Sequence, residues 1–187
     1  MLPVVIDIET SGLNPATDAV LEIAAVVLNL SRENKFYAEK TYSFHVEPFI
    51  GANFDAESLA ITQIDPDYPL RFAIPERQVL HTLFNRIDAA VKKANCQRAI
   101  IVGHNAWFDL AFLIAAKKRS HVSAFPFHSF TTLDTATLSA VTLGETVLAR
   151  ALRSARISFD LDKAHSALYD AEKTAELFCY LLNRRDR

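Results

Sequence analysis

The sequence has little glycine, little cysteine and no long apolar run. Four glycines in 187 residues, with 50% of residues hydrophobic, argue against disorder or low complexity. Cys96 and Cys179 are too few for a disulfide framework and favour a reducing, cytoplasmic setting. No apolar stretch approaches the roughly 18 to 20 residues of a membrane span, so no membrane association is expected. The opening MLPVVIDIET has no basic region and no cleavage site, and is not expected to be a secretory signal. An excess of either charge is lacking too. The 20 Lys and Arg against 22 Asp and Glu leave a net charge of -2, which does not advertise nucleic-acid binding. Local patches matter more than totals, so the balance excludes little.

What is present fits one compact domain, expected over 1–187, with enough chain to bury a core. Neither repeat nor linker interrupts it. Strands are expected at 3–9, 19–30 and 36–47, with the Gly12-Leu13-Asn14-Pro15 turn after the first. A short helix at 55–62 and a proline-bearing loop follow. From 76 to 95, Val79, Leu80, Leu83, Phe84, Ile87, Ala90 and Val91 recur at helical spacing. RAIIVG (98–103) reads as a buried strand and 106–119 as a helix. A short strand at 131–133 leads to helices at 135–141, 145–156 and 166–184. Strands first, then strand-helix alternation, predict an α/β fold with a mixed sheet flanked by helices.

Four acidic residues stand where apolar ones belong. Asp7 and Glu9 interrupt VVIDIETSG, and alternation along a strand turns both to the same face. Asp109 shares its helix face with Phe112, Leu113 and Ala116. Asp170 shares one with Ala167, Thr174 and Leu177. Any one of them has an ordinary explanation as an ion-paired or capping carboxylate. An unpaired buried carboxylate costs several kcal/mol, and few cations lie nearby in sequence. Clustered carboxylate oxygens are what hard divalent ions such as Mg²⁺ require, and two such ions can clamp a phosphodiester. His165, five residues before Asp170, would lie about 140° away from it inside a helix. Placed just outside, with Ser166 as N-cap, it can face the same site. An imidazole there suits a general base for an attacking water, though alone it reads sooner as a surface or capping histidine.

DIE in the first strand, HNAWFD at a strand-to-helix junction and HSALYDAE near the end resemble the DEDD exonucleases, in the subgroup with a histidine. The resemblance implies an RNase H-like fold and 3′→5′ hydrolysis assisted by two Mg²⁺ ions, or Mn²⁺ in their place. It puts Asp7, Glu9, Asp109 and Asp170 on the metal-ligand positions and His165 on the general-base position. FHVEPFIGANFDAESLA, QIDP, NCQRAIIVGHNAWFD, PFHSFTTLDTATLS and GETVLARA extend the resemblance to the ribonuclease T family over nearly the whole chain. That family implies homodimers that trim the 3′ ends of tRNA and other stable RNAs, releasing nucleoside 5′-monophosphates, and that also digest single-stranded DNA.

The same resemblance implies a substrate-binding set. Phe108 and Phe130 occupy two of the family's aromatic positions and Glu57 its glutamate position. Leu13 and Ile61 fill the other two aromatic positions, so contacts there become apolar packing rather than stacking. Lys92 and Arg98 match members of a basic surface with which one subunit receives RNA entering its partner's active site. Relatives carry a short basic arm before the first strand, where this sequence starts almost at the strand. His104 and Asn105 are expected to shape the junction; His45, His81, His121 and His128 are read as structural or surface residues. Two other readings stand beside this one. An oligoribonuclease-like or proofreading exonuclease is compatible with leucine after SG, although FHVEPFIGAN and PFHSFTTLD argue against it. A catalytically silent nucleic-acid-binding module would have no need of all five active-site residues.

Overall fold

The computed structural model describes residues 1–184. Three strands in antiparallel succession open it: β1 (Leu2–Thr10), β2 (Val20–Leu30) and β3 (Phe36–Glu47). The short helix α1 (Ala56–Thr62), the two-residue strand β4 (Ile74–Pro75) and the long helix α2 (Glu76–Lys93) follow. Strand β5 (Ala99–Gly103), helix α3 (Trp107–Arg119) and strand β6 (Phe127–Asp134) come next. Helices α4 (Thr135–Leu143), α5 (Leu148–Ser154) and α6 (Ala167–Leu182) complete the domain. The six strands form one mixed sheet in the order β4-β3-β2-β1-β5-β6, with β5 parallel to β1 and β6 parallel to β5.

The alternation of side chains along β1 organises both layers of helices. Val4, Ile6 and Ile8 join Leu83, Phe84, Ile87, Phe112 and Leu113 in the larger core, beneath α2 and α3. Val5 points the other way, to Ala171, Ala175 and Phe178 of α6. Small residues at Ala167, Ala171 and Ala175, four apart, give α6 a flat face that lies close to the sheet. Asp7 and Glu9 continue the face that Val5 begins, so they emerge beside the start of α6. On the outer side of α6, Leu177 and Leu181 pack against Ala151, Leu152 and Ala155, which covers the helix with α5.

The elements expected from periodicity are present, with differences at their ends. The strand expected at 131–133 is the eight-residue β6, broken by an irregularity in its pairing with β5 between Ala99 and Ile101. That irregularity hides its period from the sequence. The helix expected at 145–156 starts only at Leu148, because Thr146 instead offers its carbonyl to the His104 ring. α2 stops at Lys93, with Asn95 in the left-handed region at φ 52. β4 carries no period at all; it exists because Ile74 and Pro75 find partners in Val46 and Glu47. Among the described residues no helix is long and apolar enough to cross a membrane.

Candidate active site

The carboxyl ends of β1 and β5 and the amino ends of α3 and α6 meet at one place. The β5–α3 junction makes the meeting possible. A Cβ at Gly103 would lie 2.9 Å from the Ala106 Cβ and 3.2 Å from Asp109 Oδ2, so a side chain there would displace Asp109. Asn105 turns the chain at φ 68, and Ala106 N–H donates to Asp134 Oδ2 at 2.9 Å. Asp134 Oδ1 accepts from Thr137 N–H at 3.0 Å, so one side chain at the end of β6 caps α4 and anchors the entry to α3. Asp109 then sits in the first turn of α3, where the helix dipole favours a negative charge.

His104 is occupied elsewhere. Its Nε2 lies 2.8 Å from the Thr146 carbonyl and its Nδ1 3.0 Å from the Thr135 hydroxyl. The carbonyl can only accept, so Nε2 carries a proton, while the Thr135 hydroxyl lies between Nδ1 and the Gly103 carbonyl, 3.0 Å from each. Burial pushes the His104 pKa down, in keeping with a neutral ring. The ring therefore shapes the junction, as its position in sequence suggests.

On the other side, the start of α6 is built without the expected cap. Ser166 occupies the N-cap position, but its side chain makes no capping hydrogen bond. Glu22 on β2 replaces it: Glu22 Oε2 accepts from Ala167 N–H at 3.2 Å. His165 stands just before the helix in the left-handed region at φ 64, and its N–H donates to Asp170 Oδ2 at 3.0 Å. The left-handed turn brings His165 round to the face of Asp170. Ligand atoms of Glu9, His165 and Asp170 all lie within 4.8 Å of one another. The structure therefore brings Glu9, His165 and Asp170 to common ligating distance, with Asp7 and Asp109 alongside.

Five acidic groups crowd this corner. Burial, then the charges of Asp109, Glu9, Asp170 and Glu22, raises the Asp7 pKa well above its ordinary value. Glu9 is pushed up to about 7 by burial and by Asp170 and Glu22. Asp109 is pushed up to about 8, chiefly by burial, against opposing backbone hydrogen bonds at Asp109 and Ile8. Burial raises Asp170 as well, while the His165 N–H opposes the rise. Buried carboxyls, three of them beside further like charges, lack a compensating partner here and call for a cation. Asp170 Oδ1 fits that need: it is buried and has no hydrogen-bond partner. An all-oxygen set beside one imidazole suits a hard divalent ion.

The remaining sequence candidates divide. Asp55 N–H donates to the Ser11 carbonyl at 2.7 Å, which ties α1, with Glu57 and Ile61 on it, to the chain two residues before Leu13. Leu13, Glu57 and Ile61 are exposed and free to meet a ligand. Phe108 is half-buried, with its ring 4.8 Å from that of Phe112. Phe130 is 79% exposed on β6, four residues before Asp134. Lys92 and Arg98 are not brought to the carboxylates. Arg98 precedes β5 while Asp109 follows its far end, and the strand from Ala99 to Gly103 alone spans roughly 13 Å. Lys92, at the end of α2, is paired with Asp88 at 2.5 Å.

Sequence reasoning passed over Glu22. It lies directly opposite Glu9 in the β1–β2 register, and its Oε1 lies 3.1 Å from His45 Nδ1. His45 is thus a partner of the acidic corner rather than an isolated surface residue. The signal was present: one carboxylate inside VLEIAAVV is the same anomaly as Asp7 and Glu9.

The same fold recurs in solved exonucleases. The nuclease domain of 3′hExo, a DEDDh family member solved with rAMP, superposes with a TM-score of 0.76 at 19% identity, covering 98% of this chain and 92% of that one. Escherichia coli exonuclease I, solved with a dT13 oligonucleotide, gives a TM-score of 0.75 at 17% identity, covering 100% of this chain and 42% of that one. At the sequence level the RNase_T family, described as exonuclease, matches residues 4–178. Ribonuclease T of Hahella chejuensis is 54% identical over 183 residues, 98% of this chain and 84% of that protein. Ribonuclease T of Salmonella typhimurium is 50% identical over 185 residues, 99% of this chain and 86% of that protein. The chain belongs to the ribonuclease T family of exonucleases.

Proposed function

We propose that this protein is a cytoplasmic, divalent-metal-dependent 3′→5′ exoribonuclease. Its substrates are the 3′ ends of tRNA and other stable RNAs, with single-stranded DNA as a further one. The observation that carries the reading is the convergence of Asp7, Glu9, Asp109, Asp170 and His165 at one corner of the sheet. The four carboxylates would hold two Mg²⁺ ions, with Mn²⁺ as a substitute. When bound, the ions supply Lewis-acid neutralisation of the charge on the phosphodiester. Asp170 offers its free Oδ1 to the ion site while the His165 N–H holds Oδ2 in place. The His165 ring takes the proton of the attacking water as its oxygen bonds to phosphorus, the bond from phosphorus to the 3′ oxygen breaks, and that oxygen takes up a proton from solvent. The nucleoside 5′-monophosphate leaves, and the shortened strand keeps a 3′ hydroxyl. Leu13, Glu57, Ile61, Phe108 and Phe130 would hold the terminal nucleotides. Glu22 caps α6 and so keeps the His165 turn in position.

Digestion of 5′-labelled strands tests the reading. With Mg²⁺, a tRNA ending in CCA and single-stranded DNA should shorten stepwise from the 3′ end, and a chelator should stop both. Preference for short oligoribonucleotides over tRNA would move the protein to the oligoribonuclease-like alternative. Binding without any shortening would leave only a nucleic-acid-binding module.

The distance of Lys92 and Arg98 from the carboxylates supports a homodimer in which each basic surface serves the other subunit's site. The Lys92–Asp88 pair is exposed and worth only about 0.3–0.5 kcal/mol, so a phosphate can displace it. Lys92→Ala with Arg98→Ala should weaken RNA binding and flatten its salt dependence. Mixing that double variant with Asp109→Asn subunits should give activity above either parent, because one site then combines an intact acidic corner with an intact basic surface. A monomer by light scattering, or no rescue after confirmed subunit exchange, would sink the dimer while leaving the nuclease standing.

A further inference from the structure

The only tryptophan of the sequence, Trp107, is the first residue of α3 and is 66% exposed. None of the roles described so far uses it. An indole is mostly buried in a folded domain, since a large ring gains most by leaving water. Here the ring stands out from a rigid support. It meets Phe108 edge-on at 5.9 Å and 89°, and Phe108 rests on Phe112, whose side chain is fully buried. The three rings run from solvent to core. Successive residues of a helix turn by about 100°, so Asp109, Phe108 and Trp107 fan outward around the first turn of α3. Trp107 is thus turned away from Asp109 but adjoins Phe108, and the edge-on ring contact makes it the exposed aromatic neighbour of that residue. Leu13 and Ile61, two exposed candidates for the terminal nucleotides, are aliphatic and cannot stack.

We propose that Trp107 is a stacking platform for an unpaired nucleobase of the substrate strand, one position beyond the base at Phe108. The proposal rests on the nuclease reading above. Every base offers a π face, so the platform is tolerant of sequence and requires only that the strand be single. Binding a base there sets the register of the strand over the carboxylates and takes no part in bond breaking. Trp107 is therefore a binding residue whose loss falls on KM.

The test uses the indole as its own probe. In a His165→Ala background with Mg²⁺, single-stranded oligonucleotide should quench the tryptophan fluorescence and saturate with the binding measured by anisotropy of a labelled strand. In the otherwise unchanged enzyme, Trp107→Ala should raise KM by roughly 5- to 100-fold with little change in kcat, and Trp107→Phe should restore most of the loss. With a strand made abasic at the contacted position, the unchanged enzyme and Trp107→Ala should bind alike. Circular dichroism confirms that the variants fold. An unquenched indole, with KM unchanged in Trp107→Ala while the strand still binds, overturns the platform and leaves the nuclease intact. A Trp107→Ala variant that loses mass by light scattering at unchanged KM assigns the indole to contact with another copy, and overturns it equally. Failure of the parent protein to bind any strand overturns the nuclease reading itself.

Discussion

Asp7→Asn and Asp170→Asn should each abolish hydrolysis, by on the order of 10³-fold or more, while the metal-free protein keeps its fold and Asp7→Asn gains stability. The loss follows from removing a carboxylate that neutralising cations need, which forfeits several kcal/mol of stabilisation of the reacting phosphodiester. The gain follows from electrostatics in the absence of metal. Burial and the charges of Asp109, Glu9, Asp170 and Glu22 all raise the Asp7 pKa. Glu9, from an ordinary 4.5, rises to about 7, and Asp109, from 3.8, to about 8. A carboxyl whose folded pKa is raised binds more protons folded than unfolded, so its contribution disfavours the folded state above the unfolded pKa. Stability of the metal-free protein should therefore fall as pH climbs from about 4 through about 8. Asp7→Asn removes the charge that sits among the others and should shrink that fall. A calorimetric scan with chelator at pH 8 should show Tm higher by roughly 3 to 10 °C, for about 1 to 3 kcal/mol regained. A markedly lower Tm would contradict the clustering of charge. For Asp170→Asn, the amide oxygen can still accept from the His165 N–H, so folding should survive there too.

His165→Ala should lower kcat by roughly 10² to 10⁴-fold, the range for losing a general base, with metal and substrate affinity largely kept. The geometry makes the second half of that statement a sharp test. A ring nitrogen of His165 lies within 4.8 Å of oxygens of Glu9 and Asp170, close enough to be a ligand. Metal titration decides between the two roles: collapse of affinity together with rate would make His165 a ligand. The backbone at φ 64 complicates the alanine variant, because a Cβ disfavours the left-handed region. His165→Asn provides the control, since asparagine tolerates that conformation. Equal loss of kcat in both variants, at unchanged metal affinity, assigns the effect to the ring rather than to a relaxed turn.

Much of this site is legible in the order of the amino acids. Strand alternation alone turns Asp7 and Glu9 to one face, and helical spacing alone puts Asp109 and Asp170 on buried stripes. Those inferences survive because both periods are local and are imposed by the backbone. Glu22 escaped because an isolated carboxylate in a strand carries no meaning until its neighbour is known. Its neighbour is Glu9, from the adjacent strand, and pairing register depends on the whole sheet. The cap of α6 escaped for a similar reason: Ser166 holds the right position in sequence, yet the acceptor comes from Glu22, 145 residues away in the chain.

Residue order was enough for the α/β class, the elements with a clear period and the placing of Asp7, Glu9, Asp109 and Asp170 on buried faces, since each is written in the spacing of a single segment. What those segments meet was settled by tertiary contacts. Pairing with β3 made β4 a strand, and pairing with β5 carried β6 past its broken period. The packed sheet set Glu22 beside Glu9 and His45 beside Glu22, and a left-handed residue turned His165 toward Asp170. The same packing put Lys92 and Arg98 at the far end of β5 and left Trp107 in the open. Each of these is fixed by contacts between distant parts of the chain, which close only when both faces of the sheet are covered at once.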